Sequence, residues 1–349
     1  MFLKRKLFFL TSVFYVFIVN STIGQEFIVG ADLSFLKEAE DAGFEFKENN
    51  KVTSGLEIFK SHGYTWVRLR LFHNPTDLPN NLAYTIDAAK KAKEKGFKLL
   101  LNFHYSDTWA DPSRQNIPKA WLGKNAKELG IAIQAYTKKV LVAFKAAAIY
   151  PDMVQIGNEI SHGMLWPHGS LPENWDNFAA FIKAGISGVH ASAKGGTVPK
   201  IMIHIANGGD AGFTKYFFDT LHSYTLDYDI IGQSYYPEWH GNLRDLEDCL
   251  AYMAVSYDKD IVIVETSYHF KPANFIDKAG PFPESKDGQK KFLQAVATIV
   301  RKVPNNRGKG LFWWEPAAPN KPFSYSTFFD EKGGVLPVID VFNTEDKEF

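Results

Sequence analysis

The sequence predicts an α/β protein built as a single (β/α)8 TIM barrel. Short apolar stretches typical of buried strands alternate with longer amphipathic stretches typical of helices, and there are eight of each between residues 27 and 343. No proline- or serine-rich linker divides the chain, which favours one domain. A doubly wound open sheet is the alternative, but the turn after the first strand, Gly30-Ala31-Asp32, lacks the Gly-rich phosphate pattern of that fold.

The elements follow one another in regular order along the chain. The predicted strands lie near 27–31, 65–71, 98–103, 153–157, 200–205, 229–234, 261–265 and 310–314. The predicted helices cover 53–62, 82–95, 125–149, 173–192, 212–222, 243–257, 286–302 and a last segment near 335–343. Helix 82–95 is the clearest, because it carries an apolar stripe, a lysine-rich last turn and Gly96 as its stop.

The first 24 residues have the pattern of a secretory signal peptide. Basic residues at positions 4–6 precede an apolar run over 7–19, and small residues over 21–24 provide a cleavage site near Gly24. An uncleaved membrane anchor is the alternative, but the apolar run is shorter than the ~20 residues of a span. We therefore expect a barrel domain over 25–349, without stable membrane insertion, that is secreted, periplasmic or held at the cell surface.

Composition limits the classes of partner. The 39 basic residues balance the 39 acidic residues, so there is no basic footprint for nucleic acid. Cys249 is the only cysteine, so no intramolecular disulfide can form and the apolar core must hold the fold. Aromatic residues make up 15% of the chain, and those in rim loops are suited to stacking on sugar rings. We expect a monomer with a neutral partner.

Two strands end in a glutamate. Strand 153–157 leads directly into Asn158 and Glu159, and the apolar run 261–264 leads into Glu265. Active sites of this fold lie at the carboxyl ends of the strands. A carboxylate that emerges from an apolar wall has a raised pKa, as a general acid requires. The alternative for a lone strand-end glutamate is a cap on the following helix, but two of them on facing strands suit glycosidic hydrolysis, with carboxyl groups roughly 5 Å apart for retention.

The same reasoning selects other side chains at strand ends as substrate-binding candidates. Structural roles are the alternatives: Arg68 in a salt bridge of the barrel wall, Asp107 as a helix cap, or His204 as a satisfied core histidine. A tryptophan in a long loop can likewise form the core of that loop. The candidates are Arg68 in the second strand, His104, Asp107 and Trp109 after the third, Asn158 after the fourth, His204 and Asn207 after the fifth, Tyr236 and Trp239 after the sixth, and Trp314 after the eighth.

Seven motifs in order resemble those of glycoside hydrolase family 53, the endo-β-1,4-galactanases within a large clan of retaining barrel hydrolases. The resemblance covers about residues 27 to 343, and the order of the motifs is more specific than any one of them. The motifs are Gly30-Ala31-Asp32, Val67-Arg68-Leu69-Arg70, Asn102-Phe103-His104-Tyr105-Ser106-Asp107, Gln155-Ile156-Gly157-Asn158-Glu159, Gly232-Gln233-Ser234-Tyr235-Tyr236-Pro237, Val264-Glu265-Thr266 and Trp314-Glu315-Pro316.

The resemblance implies a role for each matching residue. Glu159 would be the acid/base and Glu265 the nucleophile of a double displacement through a covalent galactosyl-enzyme. Asn158 would contact the sugar 2-hydroxyl, and Arg68 would support the nucleophile. Tyr236, which lies nearer the rim than Tyr235, would bond the nucleophile. Trp314 would form the floor under the sugar and precede a non-prolyl cis peptide bond.

The implied substrate is β-1,4-galactan, including type I arabinogalactan and galacto-oligosaccharides. Another retaining endo-β-glycosidase of the clan, a mannanase or endoglucanase, would share both carboxylates. A carbohydrate-binding barrel without activity is a second alternative, but such a relative would lose Glu159 and Glu265 freely. A barrel aldolase would want a Schiff-base lysine, and no lysine ends a strand here.

Metal and cofactor requirements are expected to be absent. Many bacterial members of the family carry a long insertion after the eighth strand that helps bind a structural calcium. Here Trp314-Glu315-Pro316 is followed by only a short segment before the last predicted helix, which puts calcium in doubt. No other cluster with metal-ligand spacing is apparent, so we predict no metal and no cofactor.

Overall fold

Residues 27–273 and 280–343 are described by a computed structural model, and the predicted signal peptide lies outside the described residues. Eight parallel strands in these residues close into a barrel, which confirms the predicted fold. Each strand pairs with its neighbours in sequence, and the first pairs with the last. The strands are β1 (Ile28–Asp32), β2 (Trp66–Leu71), β3 (Lys98–Phe103), β4 (Met153–Ile156), β5 (Lys200–Ile205), β6 (Ile230–Tyr235), β7 (Asp260–Thr266) and β8 (Gly308–Trp313).

The helices lie outside the barrel, between the strands. Local side chains define several helix starts: Asn81 accepts the backbone N–H of Tyr84, and Asn125 and Glu128 form a capping box. The α-helices of the described residues are α1 (Leu36–Asp41), α2 (Gly55–Ser61), α3 (Leu82–Glu94), α4 (Ala126–Ala146), α5 (Trp175–Ala193), α6 (Ala211–His222), α7 (Leu243–Ser256) and α8 (Lys286–Arg301).

The structure differs from the predicted elements in four places. Helix α1 was not predicted, nor were the two-stranded ribbons within 47–52 and 163–170. The last predicted helix is a 3-10 helix, Pro337–Phe342, with proline in its first turn. These elements are too short to produce a sequence period that can be recognised.

The lower half of the barrel interior is a plug of apolar side chains. Every second residue of a strand points inward, so each strand contributes to stacked layers. The interior cluster consists of Ile28, Trp66, Leu100, Met153, Met202, Ile230, Val262, Val264 and Phe312, all buried. A larger apolar cluster fills the space between the strands and the helices.

A polar layer lies above this plug, at the carboxyl ends of the strands. Arg68, Asn102, Gln155 and His204 each follow a residue of the apolar plug by two positions, and all four are buried. The inward alternation that fills the plug therefore also directs these polar groups into the barrel mouth. Within the described residues, no helix has the length and apolar character needed to cross a membrane.

Candidate active site

The backbone after β4 turns sharply to direct Glu159 into the barrel mouth. Gly157 has φ +77°, and a Cβ there would lie 2.7 Å from Ile160 Cγ2. Glu159 itself has a left-handed conformation, with φ +47°. A non-glycine residue is held in this region at a cost of roughly 1–3 kcal/mol, and such strain is concentrated at functional sites. The turn thus aims the carboxylate at the cavity rather than along the next helix.

Glu265 enters the same cavity through an irregularity in β7. Against β6, the pairing shifts between Gln233 and Ser234, which pair with Ile263 and Glu265 respectively. Val264 belongs to the interior plug, and Glu265 also faces the interior. A bulge places two successive side chains on one face of a strand. The sequence alternation alone does not show this.

Arg68 on β2 is the centre of the hydrogen-bond network below the cavity. Its guanidinium donates to Asp32 Oδ2 at 2.7 Å and lies 2.7 Å from Glu265 Oε1. It also donates to Gln155 Oε1 from both Nε and a terminal nitrogen, at 3.3 and 3.2 Å. Because Arg68 is buried and always charged, it favours the ionised form of both carboxylates that it contacts.

Asn158 is held in a single orientation by its neighbours. Its Oδ1 accepts hydrogen bonds from Arg68, Asn102 and Gln155 at 2.9, 3.0 and 3.1 Å. Its Nδ2 donates to the carbonyl oxygen of Ala110 at 2.9 Å. The residue also lines the cavity, so the second N–H of its amide is the group that remains for a sugar hydroxyl.

The environment of Glu159 favours its protonated form. Burial, reinforced by the nearby negative charge of Glu265, raises the pKa of Glu159 to about 8. The Ser234 hydroxyl donates to Glu159 Oε1 at 2.6 Å and acts in the opposite direction. A carboxyl group with this pKa carries its proton at neutral pH, as a general acid must.

Glu265 has two strong partners for its ionised form. Burial raises the pKa of Glu265, while Arg68 and the Tyr236 hydroxyl act to lower it. Tyr236 donates to Glu265 Oε2 at 3.1 Å, and burial raises the pKa of Tyr236 well above its ordinary value, so the phenol remains a donor. The two carboxyl groups thus have different environments: Glu159 accepts a hydrogen bond from the Ser234 hydroxyl, whereas Glu265 contacts the Arg68 guanidinium and the Tyr236 phenol.

A second buried charge group lies next to the cavity and joins Asp32, Arg70 and Glu315. The Arg70 guanidinium contacts Glu315 Oε1 and packs against the rings of both Phe35 and Trp109, 4.4 and 4.5 Å from their centroids. Burial raises the pKa of Glu315 well above its ordinary value despite Arg70. For Asp32, Arg70 and Arg68 outweigh the effect of burial and lower the pKa.

We expect Arg70→Met to lower the free energy of unfolding by about 3 kcal/mol, because it leaves buried acidic groups without their cation. Urea unfolding at neutral pH, followed by tryptophan fluorescence, measures the change. Arg244→Met is the matched control, since Arg244 is exposed and its ion pairs within residues 27–273 and 280–343 are with Glu247 and Asp248 on its own helix. Equal unfolding midpoints for the two variants would contradict the structural role of Arg70.

The cavity above both glutamates has a volume of 520 Å³ and aromatic walls. The rings of Trp109 and Trp314 lie 6.3 Å apart, and Trp314 packs against Phe323 at 4.4 Å. Trp239 lines the rim and is 76% exposed. His104 also lines the cavity, where its Nδ1 accepts the backbone N–H of Ala110 at 3.2 Å. Such flat apolar faces between polar groups suit the stacking of sugar rings.

Three predicted substrate-binding residues, Asp107, His204 and Asn207, lie outside the cavity lining, and their contacts with substrate stay predictions. Asp107 accepts the backbone N–H groups of Asn74 and Lys119 at 2.9 and 2.8 Å, so it holds two loops together. His204 is completely buried beneath the site. Asn207 accepts from the hydroxyl of Ser161 at 2.7 Å. The side-chain polar groups of Asp107 and His204 are bonded within the protein. The other seven substrate-binding candidates line the cavity or, as Arg68 does, contact a residue that lines it.

Several lining residues were not among the predicted ones. Phe35, Phe323 and Tyr325 come from loops that have no period to reveal them. Ser234 bonds Glu159 directly, and its position two residues before Tyr236 was a signal for the same inward face. The peptide bond after Trp314 is not among the cis bonds of the described residues, which precede Pro167 and Pro172. The expected cis bond is therefore absent there, and Glu315 instead has φ +48°.

Within residues 27–273 and 280–343, no group of three or more His, Cys, Asp or Glu side chains is placed to hold a metal ion. The expectations of no metal, no cofactor and no structural calcium stay predictions. Around Glu159 and Glu265, the described residues supply the cavity with a buried guanidinium, hydroxyl and imidazole groups, aromatic rings and two further carboxyl groups, those of Asp111 and Glu238.

Comparison with known proteins places the chain among carbohydrate-cleaving enzymes. Residues 28–342 match the model of glycosyl hydrolase family 53. The arabinogalactan endo-β-1,4-galactanase of Cellvibrio japonicus is 33% identical, covering 98% of both chains. The arabinogalactan endo-β-1,4-galactanase A of Aspergillus niger is 37% identical, covering 82% of this chain and 84% of its own. The solved family 53 catalytic domain of Ignisphaera aggregans superposes with a TM-score of 0.85 at 32% identity, covering 92% and 97%.

Proposed function

The chain belongs to glycosyl hydrolase family 53, and on this premise we propose that it hydrolyses internal β-1,4-galactosidic bonds of galactan and type I arabinogalactan with retention. The relatives named as arabinogalactan endo-β-1,4-galactanases support the substrate class. The observation that carries the mechanism is the pair of glutamates in one cavity: Glu159, which is half-buried and has a pKa raised to about 8, and Glu265, which is buried and in contact with Arg68.

The proposed reaction proceeds in two displacements. Glu265 attacks the anomeric carbon while Glu159 transfers its proton to the leaving glycosidic oxygen, which forms a galactosyl ester and releases the reducing-end fragment. Glu159, now ionised, then removes a proton from water, whose oxygen attacks the same carbon and releases Glu265. The free amide N–H of Asn158 is available to the sugar hydroxyl next to the reacting carbon. Trp314 and Trp109 provide apolar faces for the ring.

The test is product analysis on three polysaccharides. The protein is expected to release short galacto-oligosaccharides from linear β-1,4-galactan and nothing from β-mannan or cellulose. Proton NMR during the first minutes is expected to show the β-anomer before mutarotation, as retention requires. Cleavage of only mannan or cellulose would contradict the proposed substrate but remain consistent with the proposed catalytic pair. Binding of galactan without cleavage would contradict the enzymatic function and favour a carbohydrate-binding barrel. Initial release of the α-anomer would contradict retention and indicate inversion.

We expect a bell-shaped dependence of kcat/KM on pH. The active form has Glu159 protonated and Glu265 ionised, so activity is lost on the basic side as Glu159 loses its proton, near pH 8. It is lost on the acidic side as Glu265 takes up a proton. The two apparent values belong to the interacting pair. Rates on linear galactan across pH 3–10 measure the profile, and a single ionisation would contradict a mechanism with two carboxylates.

We further propose that the protein is exported with cleavage near Gly24 and acts as a monomer. The support is the basic and apolar pattern of residues 4–19 and the small residues that follow. Expression with its own leader in a bacterial host and N-terminal sequencing of the exported protein test the cleavage. An intact amino terminus in the membrane fraction would contradict it. Light scattering of the purified protein measures the oligomeric state.

A further inference from the structure

A chain of hydrogen bonds runs from the barrel interior to the carboxyl group of Glu159. Ser234 Oγ lies 2.6 Å from Glu159 Oε1, and His204 Nε2 lies 2.8 Å from Ser234 Oγ. Gln155 Nε2 lies 3.0 Å from His204 Nδ1, and the amide oxygen of Gln155 faces Arg68. The side chains of the three linking residues, Ser234, His204 and Gln155, are completely buried. Three different strands supply them.

The direction of every hydrogen bond in this chain follows from Arg68, which can only donate. Since Arg68 donates to Gln155 Oε1, the atom of Gln155 that faces His204 Nδ1 is the amide nitrogen, which cannot accept a hydrogen bond. That nitrogen also lies 2.8 Å from the carbonyl oxygen of Gly157 and 3.1 Å from Asn158 Oδ1. The backbone N–H of Glu159 approaches the same Nδ1 at 3.4 Å, which also requires an acceptor there. His204 is therefore the tautomer with its proton on Nε2.

The sense of the bond between His204 and Ser234 then follows, and it leaves the hydroxyl hydrogen of Ser234 for Glu159. His204 donates from Nε2 to the Ser234 oxygen, so the Ser234 hydroxyl hydrogen is directed to Glu159 Oε1. His204 remains neutral in this role, because burial and then the nearby Arg68 lower its pKa well below the ordinary value. An oxygen that already accepts a hydroxyl hydrogen is a poor place for the acid proton.

We infer that Ser234 is a positioning residue for the acid/base Glu159. Held by His204 and Gln155, the Ser234 hydroxyl donates a hydrogen bond to Glu159 Oε1 and thereby keeps the transferable proton on Oε2. This inference deepens the proposed function and rests on the role of Glu159 as the acid. The hydrogen bond from Ser234 therefore fixes the position of the carboxyl group. It also determines which carboxyl oxygen presents a proton to the glycosidic bond. After that proton has been transferred, the same hydroxyl stabilises the carboxylate that activates water.

Other charged groups also act on Glu159 and must remain unchanged in a test. They are Glu265 from β7, Asp111 from the loop after β3 and Arg68 from β2, and Tyr236 faces it from β6. Ser234→Ala removes one hydroxyl and leaves all of these in place. Ser234→Thr keeps an oxygen at the same position. Ser192→Ala is the structural control, because Ser192 is a buried hydroxyl on α5 that bonds Tyr150 at 2.6 Å.

The first measurement compares kcat/KM on two substrates, one whose leaving group must be protonated by a general acid and one whose leaving group departs without a proton. Ser234→Ala is expected to lower kcat/KM on linear β-1,4-galactan about tenfold, as partial loss of general acid catalysis predicts. It is expected to change kcat/KM on 2,4-dinitrophenyl β-galactobioside less than about twofold, since that leaving group departs without a proton. Ser234→Thr is expected to restore the galactan rate. Equal losses on the two substrates would overturn the inference, because a merely structural defect affects both.

The second measurement does not need activity. Carbon-13 NMR of glutamate-labelled protein follows the ionisation of Glu159, whose signal is identified by its disappearance in Glu159→Gln. Ser234→Ala is expected to raise the pKa of Glu159 by about one unit, because the ionised form loses a hydrogen bond. Ser192→Ala and Ser234→Thr are expected to leave it unchanged. An unchanged pKa in Ser234→Ala would overturn the inference. If the unmodified protein cleaves no galactan, the proposed function fails, and the titration still decides whether the hydrogen-bond chain acts on Glu159.

Discussion

Replacing Glu265 by glutamine is expected to lower kcat/KM on linear β-1,4-galactan by at least about 10⁴-fold, because removal of an enzyme nucleophile has effects of this size or larger. Glutamine has nearly the same shape and can still accept from Arg68 through its amide oxygen. The cavity and the binding of galactan are therefore retained. What is lost is the anionic oxygen that attacks the anomeric carbon, and among the described residues no other carboxylate lining the cavity pairs with Arg68.

The control for Glu265→Gln is Glu173→Gln, which makes the same chemical change at an exposed position. It is expected to have full activity. Galactan affinity, measured by calorimetry, is expected to stay within about threefold of the unmodified protein in both variants. The reason is that the nucleophile acts in the transition state and contributes little to binding of the substrate in its ground state. Residual activity above a few per cent in Glu265→Gln would exclude this residue as the nucleophile and direct attention to the other acidic groups lining the cavity, Asp111 and Glu238.

The barrel and the meeting of Glu159 and Glu265 in one cavity were predictable from the sequence because both rest on short-range patterns. A strand such as Met153–Ile156 has an apolar run with a polar end, and in a parallel barrel all such ends meet at one face. The placement of Glu159, Glu265, Asn158 and Arg68 follows from this rule together with the family motifs. Nothing about distant contacts was needed to bring these four residues into one network.

The positions of Asp107, His204 and Asn207 outside the cavity lining have a common physical origin. A strand-end position predicts that a polar side chain lies near the mouth, but not whether it faces the cavity or the protein. That choice depends on partners from distant parts of the chain, such as the backbone N–H of Lys119, which Asp107 binds at 2.8 Å. Buried polar groups take whatever partner satisfies them. Such partners have no sequence period, so a single sequence does not reveal them.

For Ser234, in contrast, the sequence indicated the position of the side chain but not its role. Its alternation with Tyr236 placed it on the inward face of β6, but serine is frequent in strand ends for structural reasons. The role became visible only through its 2.6 Å contact with Glu159 and the 2.8 Å contact with His204. His204 thus matters to the site even though it does not line the cavity.

Replacing Glu159 by alanine is expected to separate the two displacements. On galactan, kcat/KM should fall by about 10²- to 10⁴-fold, because the leaving oxygen no longer receives a proton. On 2,4-dinitrophenyl β-galactobioside, the first displacement needs no acid, so kcat/KM should be nearly retained. The galactosyl-enzyme should then accumulate, since no base remains to activate water for the second displacement. A burst of dinitrophenol followed by slow turnover is the expected time course.

Azide provides the decisive form of this experiment, because it attacks the anomeric carbon without a base. In Glu159→Ala it is expected to restore turnover of the dinitrophenyl substrate and to yield the β-galactobiosyl azide, formed by two inversions. Glu265→Ala is the matched variant: there azide would occupy the place of the nucleophile and yield the α-azide by one inversion. The anomeric configuration of each product, read by proton NMR, therefore assigns the two carboxylates independently of any rate. The α-azide from Glu159→Ala, or the same anomer from both variants, would contradict the assignment of acid/base and nucleophile.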